Sequence, residues 1–192
     1  MNVKDIVVLG GPNGAGKTTA AEVLLPQSLR IHAFLNADEI AREISPGNVE
    51  AVAFEAGRLM IERMRDLVRD DLSFAFETTC AGKSYIRLLK ECRATGWRIS
   101  LIYLWVPSPE YSIARVARRV SEGGHHIPDD VIRRRYRTGL WNRRHLYLPL
   151  ADDATIYDNR DRAFRLIARR APGSPLKVSD EEIWVKIEEL TP

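Results

Sequence analysis

Between residues 11 and 18 the chain reads Gly11-Pro12-Asn13-Gly14-Ala15-Gly16-Lys17-Thr18, a match to G-x-x-x-x-G-K-[ST] at every fixed position. The flanks narrow the choice of fold further. Ile6 to Leu9 is a continuous apolar, β-branched run of the kind that forms a strand buried on both faces. Thr18 to Leu25 reads as a helix, with a stop expected at Pro26. Strand, glycine loop and helix in that order make a cradle for phosphate. Backbone N–H groups turn inward, and the helix amino terminus adds partial positive charge. Lys17 can reach the β- and γ-phosphates, and the Thr18 hydroxyl can ligate Mg²⁺, which takes oxygen ligands. The alternative is a glycine-rich turn that only joins the strand to the helix.

At 192 residues the chain has the length of one domain, residues 1–192, by the usual ~100–200 residues per domain. Apolar residues make up 45 %, which excludes wholesale disorder. The 29 Lys and Arg exceed the 26 Asp and Glu by only three, so this is no uniformly basic nucleic-acid coat. Two cysteines, Cys80 and Cys92, cannot make a disulfide framework or a four-ligand zinc site. The amino-terminal apolar run is too short for a signal peptide or a membrane span, so a cytoplasmic protein is expected.

Strand and helix patterns alternate along the chain. Strands are expected at Ile31–Leu35, Ser73–Glu77, Trp97–Val106, Thr155–Tyr157 and Phe164–Ala168. Helices are expected at Asp38–Ile44, Val52–Val68, Lys83–Thr95, Glu110–Glu122, Pro128–Tyr147 and Ser179–Leu190. In the last helix Ser179 is the expected cap, with Glu182 at capping-box spacing. The pattern predicts a three-layer α/β/α fold around a parallel sheet.

Ligands in such sheets sit at the carboxyl ends of the strands. Asp38 follows the second strand there, as a general base or as a helix cap. Glu77 ends the third strand, followed by Thr78 and Thr79. Its carboxylate can orient an acceptor, sit behind Mg²⁺ or form a structural ion pair, while the threonines donate to substrate or cap the next helix. The long strand ends in Pro107-Ser108, without the carboxylate a motor would carry, which favours a kinase over a motor.

Residues 108–150 hold nine arginines against four acids, a surplus larger than that of the whole chain. Arg115 and Arg119 share a helix face, and Gly123-Gly124-His125-His126-Ile127-Pro128 then breaks to a second arm bearing Arg134 and Arg135. Two helices joined by a flexible glycine turn make a lid that brings guanidinium groups over phosphates. A solvated basic face and a nucleic-acid contact are the alternatives. Tyr157-Asp158-Asn159 follows a late strand, where it either flanks a purine or simply turns.

Taken together, Gly11 to Thr19, Asn36-Ala37-Asp38-Glu39-Ile40, Phe76-Glu77-Thr78-Thr79, Arg115-Val116-Ala117-Arg118-Arg119-Val120, Gly123 to Pro128 and Tyr157-Asp158-Asn159 resemble the zeta-toxin family of phosphate-loop kinases, from about Val7 to Asn159. The resemblance implies a kinase using ATP or GTP with Mg²⁺, and an acceptor hydroxyl on UDP-N-acetylglucosamine. Lys17 and Asp38, with Arg119 and Arg134 from the lid, would carry catalysis. The loop from Gly11 through Pro12, Asn13, Gly14, Ala15, Gly16, Lys17 and Thr18 to Thr19, together with Asn159, would hold nucleotide. Glu77, Thr78, Thr79, Arg115, His125 and Arg135 would join Asp38 around the acceptor, and Thr18 would hold the metal. A protein antitoxin is the implied partner, and no membrane is. The Gly-Gly-His-His spacing between the arginine groups departs from the best-known toxins. Other acceptors therefore stay open, such as a polynucleotide 5′ end or an antibiotic hydroxyl, as does a nucleotide-binding module without turnover.

Overall fold

The structure, a computed structural model, describes residues 4–25 and 31–191. The expected stop at Pro26 lies outside the described residues. The apolar run 6–9 forms β1 (Asp5–Gly10), buried along its whole length. It lies near the middle of a seven-stranded sheet in the order β2 (Ala33–Leu35), β3 (Phe74–Thr78), β1, β4 (Arg98–Trp105), β5 (Asp153–Asp158), β6 (Arg165–Arg170), β7 (Lys177–Val178). Successive strand residues point to opposite faces, so full burial of β1 means that both faces are covered. That is the three-layer α/β/α arrangement.

The first five strands in that order are parallel. The last two are not: β6 runs antiparallel to β5, and β7 antiparallel to β6. The connection over residues 159–164 is too short for the crossover of about a dozen residues or more that a parallel neighbour needs. β7 had no sequence signal, being two residues of mixed character.

The helices are α1 (Lys17–Leu24), α2 (Ala37–Ile44), α3 (Ala53–Arg69), α4 (Ser84–Ala94), α5 (Pro109–Ser121), α6 (Asp129–Asn142), a short α7 (Leu148–Leu150) and α8 (Glu181–Glu189). In α3, Ala56, Met60 and Met64 repeat every fourth residue and are fully buried, one face of a 3.6-period helix. The cap of α8 is Asp180, whose side chain accepts from the Ile183 N–H at 3.0 Å. Ser179 stands one residue too early to cap, and Glu182 pairs with Lys186 instead of reaching back. The long helix expected from Pro128 to Tyr147 widens into a π-helical turn at Arg143–Tyr147. There Arg143 and Arg144 grip the two oxygens of Glu188, at 3.0 and 2.9 Å, and fasten α8 to the body. Cys80 and Cys92 are both buried. Burial pushes the Cys80 thiol up to about 12, so it packs as a neutral group.

The glycine turn between α5 and α6 is not a loose hinge. Gly123 has φ 89°, its N–H bonds the Val120 carbonyl and that of Gly124 bonds the Arg119 carbonyl, a Schellman closure of α5. A Cβ on Gly124 would lie 2.8 Å from the Arg119 carbonyl oxygen. Gly124→Ala is therefore expected to lose about 1–3 kcal/mol, seen as a drop of several degrees in Tm on thermal unfolding. An unchanged Tm would show that the turn can relax. A small apolar cluster of Val116, Ile127 and Ile132 binds the two arms together.

Candidate active site

β1 delivers the phosphate loop to the carboxyl edge of the sheet. Gly16 stands before α1 with φ 84°, a left-handed conformation, and a Cβ there would be 2.9 Å from the Asn159 amide nitrogen. Asn159 braces the loop from behind. Its Nδ2 donates to the Ala15 carbonyl at 2.7 Å, and its own carbonyl accepts from Arg115 at 3.0 Å. Lys17 is buried, with Nζ donating to the Pro12 carbonyl at 2.9 Å and standing 3.5 Å from Glu77 Oε1.

β3 lies directly beside β1, so Glu77 comes level with Leu9 and faces the loop. Its Oε2 accepts from the Thr18 hydroxyl at 2.9 Å and from Asn36 Nδ2 at 3.2 Å. Thr78 and Thr79 follow. Their hydroxyls accept from the N–H groups of Cys80 and Ala81, so they hold the turn after β3 and leave α4 uncapped. That turn is pinned from the other side by α6 and the π-helical turn: Asn142 donates to the Cys80 and Ala81 carbonyls, and the Tyr147 hydroxyl donates to that of Gly82.

Asp38 sits in the first turn of α2. The cap of that helix is Asn36, whose Oδ1 accepts from the Asp38 N–H at 2.8 Å. The Asp38 carboxylate is therefore not the cap, and it lines the cavities instead.

Two cavities meet at the loop. The first, of about 660 Å³, is lined by the loop through Thr19, by Tyr111, Arg115, Arg118 and Arg119 of α5, and by residues 159–162 with Phe164. The second, of about 620 Å³, is lined by α2, the start of α3, Thr78, Thr79, Tyr85, His125, Arg134 and Arg135. Asn13, Lys17, Asp38 and Glu77 line both. A smaller recess, of about 350 Å³, joins Asp38 to Arg42, Arg119 and His125 under the tip of the α5–α6 arm.

The two arginine pairs part company here. Arg115 and Arg119 face the loop-side cavity, and Arg134 and Arg135 face the other. Arg115, expected on the acceptor side, is instead tied to Asn159, and burial, with the charge of Arg162 adding to it, holds its pKa below the usual guanidinium value. Arg119 donates to the His125 carbonyl at 2.8 Å. Arg118 and Arg133 spend their charge on Glu122 and Glu110. Of the loop residues, Gly11, Pro12 and Ala15 lie behind the surface that Asn13, Gly14, Gly16 and Lys17–Thr19 present.

Sequence reasoning missed Tyr85, Arg42, Arg162 and Phe164. Arg162 and Phe164 line the loop-side cavity with positive φ, a conformation that neither residue type signals. Tyr85 packs its ring against Phe76, centroids 5.0 Å apart and planes tilted by 52°, and lines the second cavity. Burial, with the charge of Asp38 adding to it, pushes its phenol up, so it is protonated at neutral pH.

The fold is the three-layer α/β/α arrangement shared with phosphate-loop kinases. The sequence pattern described as Zeta toxin matches residues 2–170, and the chain belongs to the zeta toxin family. An uncharacterized protein of Haemophilus influenzae is 30 % identical over 126 residues, 66 % of this chain and 88 % of that one. The AvrRxo1-ORF1:-ORF2 complex with ATP shares the fold with a TM-score of 0.74 at 17 % identity, over 96 % of this chain and 63 % of that one. The chain thus spans less than two thirds of that relative's length. The PezAT chromosomal toxin–antitoxin system of Streptococcus pneumoniae matches with a TM-score of 0.69 at 15 % identity, over 100 % of this chain and 79 % of that one. At these identities the two structures share the fold. Among the described residues, no helix is long and apolar enough to cross a membrane.

Proposed function

We propose that the protein is a kinase that moves the γ-phosphoryl group of ATP or GTP onto the hydroxyl of a small acceptor. The observation that carries this reading is the shared wall. Lys17, Asp38 and Glu77 line both the loop-side cavity and its neighbour, so a donor phosphate and an acceptor alcohol can meet across them. The triphosphate lies along the loop, with the purine toward Tyr111, Arg115 and Phe164. Lys17 pairs with the outer phosphates. The Thr18 hydroxyl and the Glu77 carboxylate, 2.9 Å apart, are oxygen donors of the kind Mg²⁺ takes, with Thr18 as ligand and Glu77 behind it. Mg²⁺ held there would supply positive charge to offset that of the phosphates.

Asp38 takes the proton of the acceptor hydroxyl as it attacks. Arg119 from one arm and Arg134 from the other supply planar, always-charged donors to the transferring group, and Arg135, His125, Thr78 and Thr79 line the acceptor side. UDP-N-acetylglucosamine is the acceptor that family membership favours, and a cytoplasmic site, where both substrates occur, goes with it. The PezAT toxin–antitoxin neighbour, and the two-protein AvrRxo1 complex, favour a protein partner of antitoxin type.

The test is mass spectrometry of a bacterial metabolite extract incubated with Mg·ATP, beside the same extract treated with Lys17→Ala. One compound is expected to gain the mass of a phosphoryl group, about 80 daltons, only with the wild type. UDP-N-acetylglucosamine is the first candidate to check. No such gain in any compound would remove the kinase reading.

A further inference from the structure

Asn36 is buried at the end of β2, and its side-chain amide is used at both ends. Oδ1 accepts from the Asp38 N–H at 2.8 Å, and Nδ2 donates to Glu77 Oε2 at 3.2 Å. The same Glu77 oxygen accepts from Thr18 at 2.9 Å. A chain of three hydrogen bonds therefore runs from the start of α1, through β3, to the first turn of α2. Only one orientation of the amide closes it, since turning the group over would set carbonyl against carboxylate and NH₂ against N–H. Capping alone does not call for asparagine here, because aspartate and serine cap equally well. Neither can also donate to Glu77 while accepting from Asp38 across this span.

We infer that Asn36 is a positioning residue that fixes the Glu77 carboxylate and the Asp38 turn relative to each other, and so sets the gap between the donor and acceptor sides. This rests on the kinase reading above. Asn36 borders the second cavity, but both ends of its amide are spent on Glu77 and the Asp38 N–H, so it acts through the two acids.

The experiment compares Asn36→Ser, Asn36→Asp and Asn36→Ala with the wild type and Lys17→Ala. Tm is measured, along with ADP release from Mg·ATP in the small-molecule fraction of a bacterial lysate. Asn36→Ser keeps a cap and is expected to melt close to the wild type, whereas Asn36→Asp sets a second carboxyl against Glu77 and is expected to melt lower. Asn36→Ala loses the cap and melts about 2–4 °C lower. Asn36→Ser and Asn36→Ala lose the amide donor at that span, so kcat falls in each by on the order of 10–100-fold, with KM for ATP unchanged. Activity follows the donor while stability follows the cap, and a purely structural role cannot produce that split. Should Asn36→Asp fail to fold beside Glu77, Asn36→Ser still decides. The inference fails if Asn36→Ser turns over like the wild type, or if kcat falls only in step with Tm. If the wild type releases no more ADP than Lys17→Ala, the kinase reading fails first and this one goes with it.

Discussion

Asp38→Asn is expected to bind Mg·ATP as tightly as the wild type and to turn it over about 10²–10⁴-fold more slowly. The substitution changes almost nothing else. The Asp38 backbone N–H stays on Asn36 Oδ1, and α2 keeps its cap. Losing one negative charge in the first helical turn costs no more than about 1 kcal/mol. What disappears is the only atom pair in the proposed mechanism that can accept the hydroxyl proton. Calorimetry with ATP and the rate of ADP release in metabolite extract separate binding from chemistry. A full rate would sink the base assignment. A large loss of ATP affinity would move Asp38 to the nucleotide side, since it lines that cavity as well.

Lys17→Ala should weaken ATP binding by roughly 10–100-fold and bring ADP release to background. The Lys17 ammonium is buried, held by the Pro12 carbonyl and close to Glu77. Its bonds to phosphate would be charge-assisted, worth about 1.5–3 kcal/mol where a group is this enclosed. The fold should survive, because Thr18 and Asn36 continue to satisfy Glu77. AMP, which lacks the outer phosphates, should bind the variant and the wild type alike. If ATP affinity were unchanged while AMP affinity fell, the lysine would not face the outer phosphates.

Several of these features were legible in the residues because they are local. The phosphate loop needs one strand, one run of glycines and one helix start, all within twenty residues of each other. Asp38 stands three residues beyond one recognisable strand and Glu77 ends another, so a parallel sheet puts them at the same edge. The cap of α2 was harder to read. Asn36 and Asp38 are both good capping residues, and only the Asn36 Oδ1 contact to the Asp38 N–H decides between them. A similar one-residue shift separates Ser179 from Asp180 at α8.

The arginine-rich segment shows the opposite case. Composition announces a basic arm but cannot say which guanidinium turns where. Arg115 goes to Asn159, Arg119 to the His125 carbonyl, and Arg118 and Arg133 to neighbouring acids. Those choices depend on partners up to 44 residues away in the chain. Gly123-Gly124 reads as flexibility by residue type, yet here the pair closes α5 and lies against Arg119.

By itself the sequence determined that a glycine loop stands between a buried strand and a helix start, and that two acids stand at the same sheet edge. Each follows from short-range backbone preferences and a strand–helix alternation readable at the level of single segments. Only the tertiary structure decided that β3 lies against β1, that β6 turns back, and that Glu77, Asn36 and Asp38 join in one hydrogen-bonded row. Those relations rest on which strand pairs with which and on side chains meeting across the sheet edge. No local propensity encodes such meetings, because their energy exists only once distant segments have been packed together.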